Sequence, residues 1–600
     1  LGIEGSVKVY VRIPDVALTG GYESVERDDA TLRVTLAEPR TVTVGARSLH
    51  ERPEATITVP DDPAAFAEAL PYLGASIKEF SPERSWPTLR GHPPAISRGE
   101  SLRVPDGLER PETGVTIRVP TTYASLYEVA PLAYYLGAAV EPAETPELVL
   151  ANGYVEPLET PEASLAERAD AVLRRTLLMD SLVRVGGYFS NSRYEYEAIA
   201  GELPFYPPEL YDATVSDQLM EYLEVSPSLL DRHLPDRPLR ATLRDGPAGA
   251  ELVPHLVHDL ASIAVDRQES RPSGSADDAV GLSADGAVGC SDDDAVAVGR
   301  SARPVPPGET LLVREAYETA LDRSPPEATD AEILIVSGDD DPGAWREVRD
   351  AATDGIEPAV AAADLLVDPT VREFDAAIGD GYDLVLCLLS ATDGGIACAD
   401  GVAEPTALGS TPAWGMLLAG SDALGVAAFA LRRGVVTALA TDERPAPGTV
   451  GRLLRCLVRG HSFAVAARFL GREEVGAYRT VGAQPRSVLL RDGESIPFLL
   501  DLTAEAVDGY RVTLWGHPTA ENRTGGVCLL HEDVTLDTLQ LSGSAVDHPV
   551  PCSAEQAASL LADPDYLVRL NGDSYHGEPE PTPEFVRESA REWLDGEASR

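Results

Sequence analysis

Between Ala331 and Gly471 short apolar runs alternate with amphipathic segments, and this alternation restricts the fold more than any other feature of the chain. AEILIVSGDD (331–340) reads as a buried strand and WREVRDAA (345–352) as a helix. AAADLLVD (361–368) is a second strand, and VREFDAAIGDG (371–381) a helix closed by glycine. Apolar strands at 382–389 and 414–419 follow, then the helix ALGVAAFALRR (423–433) and the strand VVTALAT (435–441). TVGRLLRCLVRG and HSFAVAARFLG (449–471) close the region as helices. Apolar strands separated by helices of this length build a parallel sheet covered on both faces.

The N-terminal half reads differently. From Val7 to Val44 the pattern has a period of two (VKVYVRI, TLRVTL, TVTVGA), which predicts a small antiparallel sheet. An internal duplication follows. ITVPDDPAAFAEALPYLGASIKE (57–79) and IRVPTTYASLYEVAPLAYYLGAAVE (117–141) share a strand, a Val-Pro stop, a helix and a Tyr-Leu-Gly-Ala turn. Each copy predicts strand–helix–strand, with Gly74 or Gly137 ending its helix. SLAERADAVLRRTLLMDSLVRV (164–185) is an amphipathic helix, with Leu165, Ala169, Val172, Leu173, Thr176, Leu177 and Leu182 on its apolar side. ATVSDQLMEYL (213–223) and LVPHLVHDLASIAV (252–265) read as further helices.

The stretch 269–308 holds Asp, Ser, Ala and Gly without aromatics, too little apolar surface to offset its ordering entropy, and reads as a disordered acidic linker. After residue 475 the pattern returns to β (SVLLRDG, FLLDLTA, YRVTLWG), ending in an acidic helical tail at 581–598. The expected division is a small β-rich region (1–52), a duplicated α/β module (53–145) and a helix-rich α/β region (146–266). A disordered acidic linker (267–308), a central sheet domain (309–475) and a β-rich C-terminal module (476–600) complete it. The fold class is therefore α/β and multi-domain.

The 600-residue chain has a formal charge of −49, and Lys8 and Lys78 are its only lysines. Carboxylates hold water and hydrated cations, and strong salt screening removes most of their mutual repulsion, so this balance points to a halophilic origin. With no basic patch larger than a pair of arginines, binding to nucleic acid or to an anionic membrane is not expected. Six scattered cysteines (Cys290, Cys387, Cys398, Cys456, Cys528, Cys552) without a C-x-x-C read as free thiols. No apolar run reaches a membrane span, and no signal peptide is recognised, so a cytoplasmic location is expected. The leucine at position 1 raises the expectation that the chain starts inside a longer gene product.

Within the alternating region, YDLVLCLLSATDGGIACADG (382–401) runs from an apolar strand into a glycine turn and a Cys-x-Asp-Gly tag. TPAWGMLLAGSDALG (411–425) runs from a second strand into a turn and a helix. Together with Gly460-His461-Ser462, this order resembles the CHAT domain, a relative of caspases. APLAYYLGAAVEP (130–142) is similar to the N-terminal region of multi-domain CHAT-type proteins of halophilic archaea. The resemblance implies a caspase-like, parallel-rich sheet in the C-terminal half. Gly394, Gly395, Cys398, Asp400 and Gly401 match the tag, and Ala419 the residue before the nucleophile. The departures fall at the reagents. Ser390 stands where the family has its His, Leu418 where it has Asn, and Gly420 where it has the nucleophilic Cys. Serine has no useful basicity near neutral pH and glycine has no side chain, so no catalytic residue is expected.

What remains is a cleft for binding, with Asp393, Gly394, Gly395, Cys398, Asp400, Ser421 and His461 as candidates. The expected function is a non-catalytic scaffold or regulator that holds a peptide or partner protein in a stress, signalling or defence setting. Two alternatives stay open. One is a hydrolase using displaced residues, Ser421 or Cys398 with His461. The other is a small-molecule sensor formed by the duplicated lobes. Cys387, within a strand, reads as packing. His255 and His258 are spaced i, i+3 but lack a third ligand, the run DDDP (339–342) lacks EF-hand spacing, and Gly394-Gly395 lacks P-loop context. Neither a metal nor a cofactor is therefore expected.

Overall fold

A computed structural model describes residues 2–3, 7–12, 22–28, 31–36, 41–48, 50–185, 193–235, 239–266, 310–338, 341–356, 358–392, 395–404, 411–483, 486–491, 498–520, 523–529, 539–547, 551–563, 566–577 and 579–597. The linker expected at 267–308 lies outside them. The chain is a multi-domain α/β protein of mixed and parallel sheets. Among the described residues no helix is long and apolar enough to cross a membrane.

Val7–Arg12 pairs antiparallel with Thr43–Ser48, and Tyr22–Asp28 with Thr31–Leu36. The second copy of the duplication folds as its pattern predicts. Val115–Val119 leads into the helix Tyr123–Leu136, Gly137 ends that helix at φ 57°, and Ala139–Pro142 returns parallel to the first strand. The first copy departs from it. Gly74 lies inside a 3-10 turn, Leu70–Ser76, and Ile77 forms only an isolated bridge to Arg90. The parallel partner of Thr56–Val59 is instead Ala95–Arg98. Pro71, Pro82 and Pro87 each open a 3-10 turn in between, because proline fixes φ and removes a ladder donor. The two Tyr-Leu-Gly-Ala turns meet: a Cβ on Gly74 would lie 3.3 Å from Gly137 Cα.

Residues 252–265 are a second correction. The helix Val253–His258 stops, Leu260 turns at φ 52°, and Ser262–Asp266 is a strand parallel to Arg240–Arg244. Alternation of β-branched residues at Ile263 and Val265 suits a strand better than the helix expected there.

The helix Leu165–Val185 buries the expected apolar side, and its last two turns are buried all round. Asp180 there forms a two-point ion pair with Arg84 (2.8 and 3.0 Å) and accepts a hydrogen bond from Tyr135 Oη (2.8 Å). Burial works against the charge on Arg84, but Asp180 beside it holds the guanidinium above its ordinary pKa. Arg184 donates to Ser85 Oγ (2.7 Å) and to Gly525 O (3.0 Å), 3.7 Å from the Trp86 ring centroid. Arg90 donates to the carbonyls of Ser85 and Thr524, and Arg523 to that of Pro87. The loop carrying Arg523, Thr524 and Gly525 is thus locked into the N-terminal half by buried arginines.

Among the described residues the central sheet has nine strands: β1 (Thr310–Leu311), β2 (Glu332–Ser337), β3 (Ala362–Val367), β4 (Leu384–Thr392), β5 (Gly395–Cys398), β6 (Gly401–Ala403), β7 (Gly415–Ala419), β8 (Thr437–Thr441) and β9 (Tyr478–Gly482). Their order is β1-β9-β8-β7-β4-β2-β3, with β5 and β6 as a hairpin extending β4. All pairs along the main order are parallel except β8 with β9. The sheet therefore runs through Gly482, past the boundary expected at 475. Helices α1 (Pro342–Asp354), α4 (Pro447–Leu457) and α5 (Phe463–Leu470) cover one face, packing on Ile335, Leu386, Leu417 and Leu439. Helices α2 (Val371–Gly379) and α3 (Ala423–Leu431) cover the other, on Val336, Cys387, Leu418 and Ala440, in a core continuous with the N-terminal half. Strands buried on both faces account for the unbroken apolar runs in the sequence.

The C-terminal sheet, in the order β12-β11-β10-β13, comprises β10 (Phe498–Ala506), β11 (Gly509–Gly516), β12 (Ala545–Asp547) and β13 (Leu567–Leu570), with a short fifth strand at Asp573–Ser574. Helices α6 (Ala554–Ala562) and α7 (Pro583–Glu597) cover one of its faces.

Candidate functional site

In an open parallel sheet ligands bind beyond the carboxyl ends of the strands, where the strand order reverses. Here that reversal falls between β2 and β4, and the positions singled out by sequence lie at this edge, on β4 and just beyond β7. Ser390 is exposed and sits opposite Ala419, after a register shift that begins at Cys387. The shift carries the backbone of Ala391 over the end of β7. Gly420 adopts φ 128°, and a Cβ there would lie 2.5 Å from Ala391 O and 2.6 Å from Ala391 N. Gly420 N donates to Thr441 O (2.9 Å), and Asp422 N donates to Ala391 O (3.2 Å), fixing this approach. Main chain fills the space that a nucleophile's side chain would need, and only glycine fits.

The remaining candidates scatter. Ser421 is exposed at the start of the turn into α3. Asp393 and Gly394 lie outside the described residues, between Thr392 and Gly395, which pair across the hairpin. Cys398 is half-buried, and burial, with Asp375, Asp400 and Asp368 adding to it, pushes its thiol up. The reactive form of cysteine is the thiolate, so this setting quiets it. Asp400 accepts from Val371 N (2.8 Å), tying the hairpin to the first turn of α2. Cys387 is fully buried and its thiol is pushed up to about 12.

His461 is buried, not at the rim. Burial, together with His517 and Arg459, holds its pKa well below the ordinary value. Phe463, two residues on, packs against Gly415, the first residue of β7, whereas Ser421 comes two residues after the last, Ala419. At about 3.3 Å per residue, the length of β7 separates the two. No hydrogen bond between His461 and Ser421 or Cys398 is found among the described residues. His255 and His258 are also buried, but His92 and Arg523 join them. His92 Nε2 lies 3.2 Å from His255 Nδ1, and the Arg523 guanidinium 2.8 Å from His258 Nε2. A guanidinium against that ring takes the place that a cation would need.

Two participants were missed by sequence reasoning. Ala391 closes the edge through its backbone, and no residue-type signal marks that. Ser337, at the carboxyl end of β2, is buried with no hydrogen-bond partner for its Oγ among the described residues. A search of protein-family models gives no match to this sequence, and neither does a search of curated proteins.

Proposed function

We propose that the central sheet domain is a non-catalytic, pseudo-peptidase-like scaffold or regulator. Its carboxyl edge at β4 and β7 holds a peptide segment or partner protein without cleaving it. The setting is a stress, signalling or defence circuit in the cytoplasm, without nucleic acid, metal or cofactor. The observation that carries this reading is the approach of Ala391 to Gly420, which leaves no volume for a nucleophile. The quieted Cys398 thiol, and the burial of His461 while Ser421 is exposed, support it. The duplicated turns lie side by side at Gly74 and Gly137, so the small-molecule alternative would need a cleft elsewhere between the lobes.

The test is N-terminal proteomics on a halophile lysate in near-saturated KCl, with and without the purified protein. No new N-termini are expected. Reproducible new termini at a common sequence would refute the proposal.

A further inference from the structure

The chain carries 98 acidic residues against 49 basic ones, so a cavity lined by three arginines and a single carboxylate runs against its composition. Such a cavity lies between the N-terminal half and the C-terminal sheet. Strands β10, β11 and β13 turn Leu500, Leu502, Val512, Leu514 and Val568 toward α6 and α7. Alternation puts Asp501, Arg511 and Arg569 on the opposite face, where Asp501 pairs with both Thr513 and Arg569, and Arg511 with Thr503. This face forms one wall of a space of about 520 Å³, and Arg232 and His233 from the N-terminal half form another. The volume falls in the range of small-molecule sites.

Its electrostatics select the ligand. Asp501 accepts from Trp515 Nε1 (2.8 Å) and lies 3.9 Å from Arg569, so its charge is already shared. Arg511 reaches Glu505, at 3.4 Å, which is half-exposed outside the cavity lining. The lining itself carries three guanidiniums and one carboxylate, Asp501, with Glu505 offsetting Arg511 from outside it, so the lining has an excess of positive charge. Guanidinium forks match phosphate oxygens, and the half-buried rings of Trp515 and Trp593 at the wall offer stacking surfaces. In multimolar salt the screening length falls to about 3 Å, so only contact-range pairs and stacking retain strength. A ligand that uses both is favoured over a bare anion.

We propose that this cavity binds a nucleotide, its phosphates on Arg232, Arg511 and Arg569 and its base against Trp515 or Trp593. The assignment does not depend on whether the central domain is catalytic.

The experiment titrates full-length protein in multimolar KCl with ADP, following tryptophan fluorescence. Two of the five tryptophans line the cavity, while Trp345 and Trp414 are buried elsewhere. Saturable quenching by ADP is expected, with a weaker response to adenosine and competition by inorganic phosphate. Arg511→Glu and Arg232→Glu, on separate walls, should each weaken binding about tenfold or more. Trp593→Phe should remove part of the signal. Absence of saturable quenching by ADP in the unmodified protein overturns the proposal. So does unchanged affinity in both arginine variants when their melting curves match the parent.

Discussion

Placing a histidine at 390 and a cysteine at 420, where the CHAT resemblance would put its reagents, should damage the protein rather than create a peptidase. In Gly420→Cys the new Cβ meets Ala391 O at 2.5 Å and Ala391 N at 2.6 Å, main-chain atoms of a residue paired with Ile396 in the β4–β5 hairpin. The backbone at 420 also sits at φ 128°, where a side chain is strained. Strain at such a position costs about 1–3 kcal/mol and overpacking about another 1–3, so the loss is roughly 2–6 kcal/mol. For a domain of this size that corresponds to roughly 5–20 °C in melting temperature. The assay is thermal unfolding in multimolar KCl, read from Trp345 and Trp414, which are buried in the central domain. Ser421→Cys supplies the control, a thiol one residue away at an exposed position. The double variant Ser390→His, Gly420→Cys should cleave no fluorogenic peptide. A Gly420→Cys protein that melts with the parent, or a double variant with peptidase activity, would show that the edge is open and the reasoning wrong.

Two further outcomes follow from buried charge. Asp180→Asn leaves Arg84 buried and uncompensated, at a cost of about 3–5 kcal/mol, whereas Asp322→Asn, at the exposed pair with Arg52, should cost less than about 1 kcal/mol; comparable denaturation midpoints for the two variants would contradict this. Burial holds His92 at about 4 and keeps His255, His258 and His461 well below their ordinary values, so the unfolded chain binds more protons once the pH drops below about 6.5. The stability tied to these neutral rings is complete above pH 6.5 and falls on acidification, by about 3 kcal/mol for His92 alone on reaching pH 4. His92→Gln should flatten that fall in a series of melts, and an identical pH profile in the variant would count against it.

The central sheet was legible because its information is local. Strands β2, β4, β7 and β8 are built on short apolar runs, and Gly381 follows the end of its helix at φ 98°. The strand Ser262–Asp266 was not legible, since its short apolar run continues the preceding helix without a glycine or proline between them. At the candidate site, the sequence shows a serine at 390 and a glycine at 420. It could not show that Ala391 fills the space, because a register shift between β4 and β7 produces that contact. His461 fits a helix approach by its neighbours in sequence, but its position along β7 depends on the turn between α4 and α5. The arginine network was beyond reach for the same reason: Arg90 bonds Thr524, 434 residues away, and no local pattern encodes such a pairing.

That pairing also dictates an order of assembly. Arg90 and Arg184 sit in the interior of the N-terminal half, yet they donate hydrogen bonds to the carbonyl oxygens of Thr524 and Gly525. A ribosome emits those carbonyls only after the whole central domain has been made. Until then the growing N-terminal half holds guanidiniums that must stay wet, so its core cannot close early. Truncation before residue 523 should therefore yield an N-terminal half that remains loosely packed and accessible to proteases.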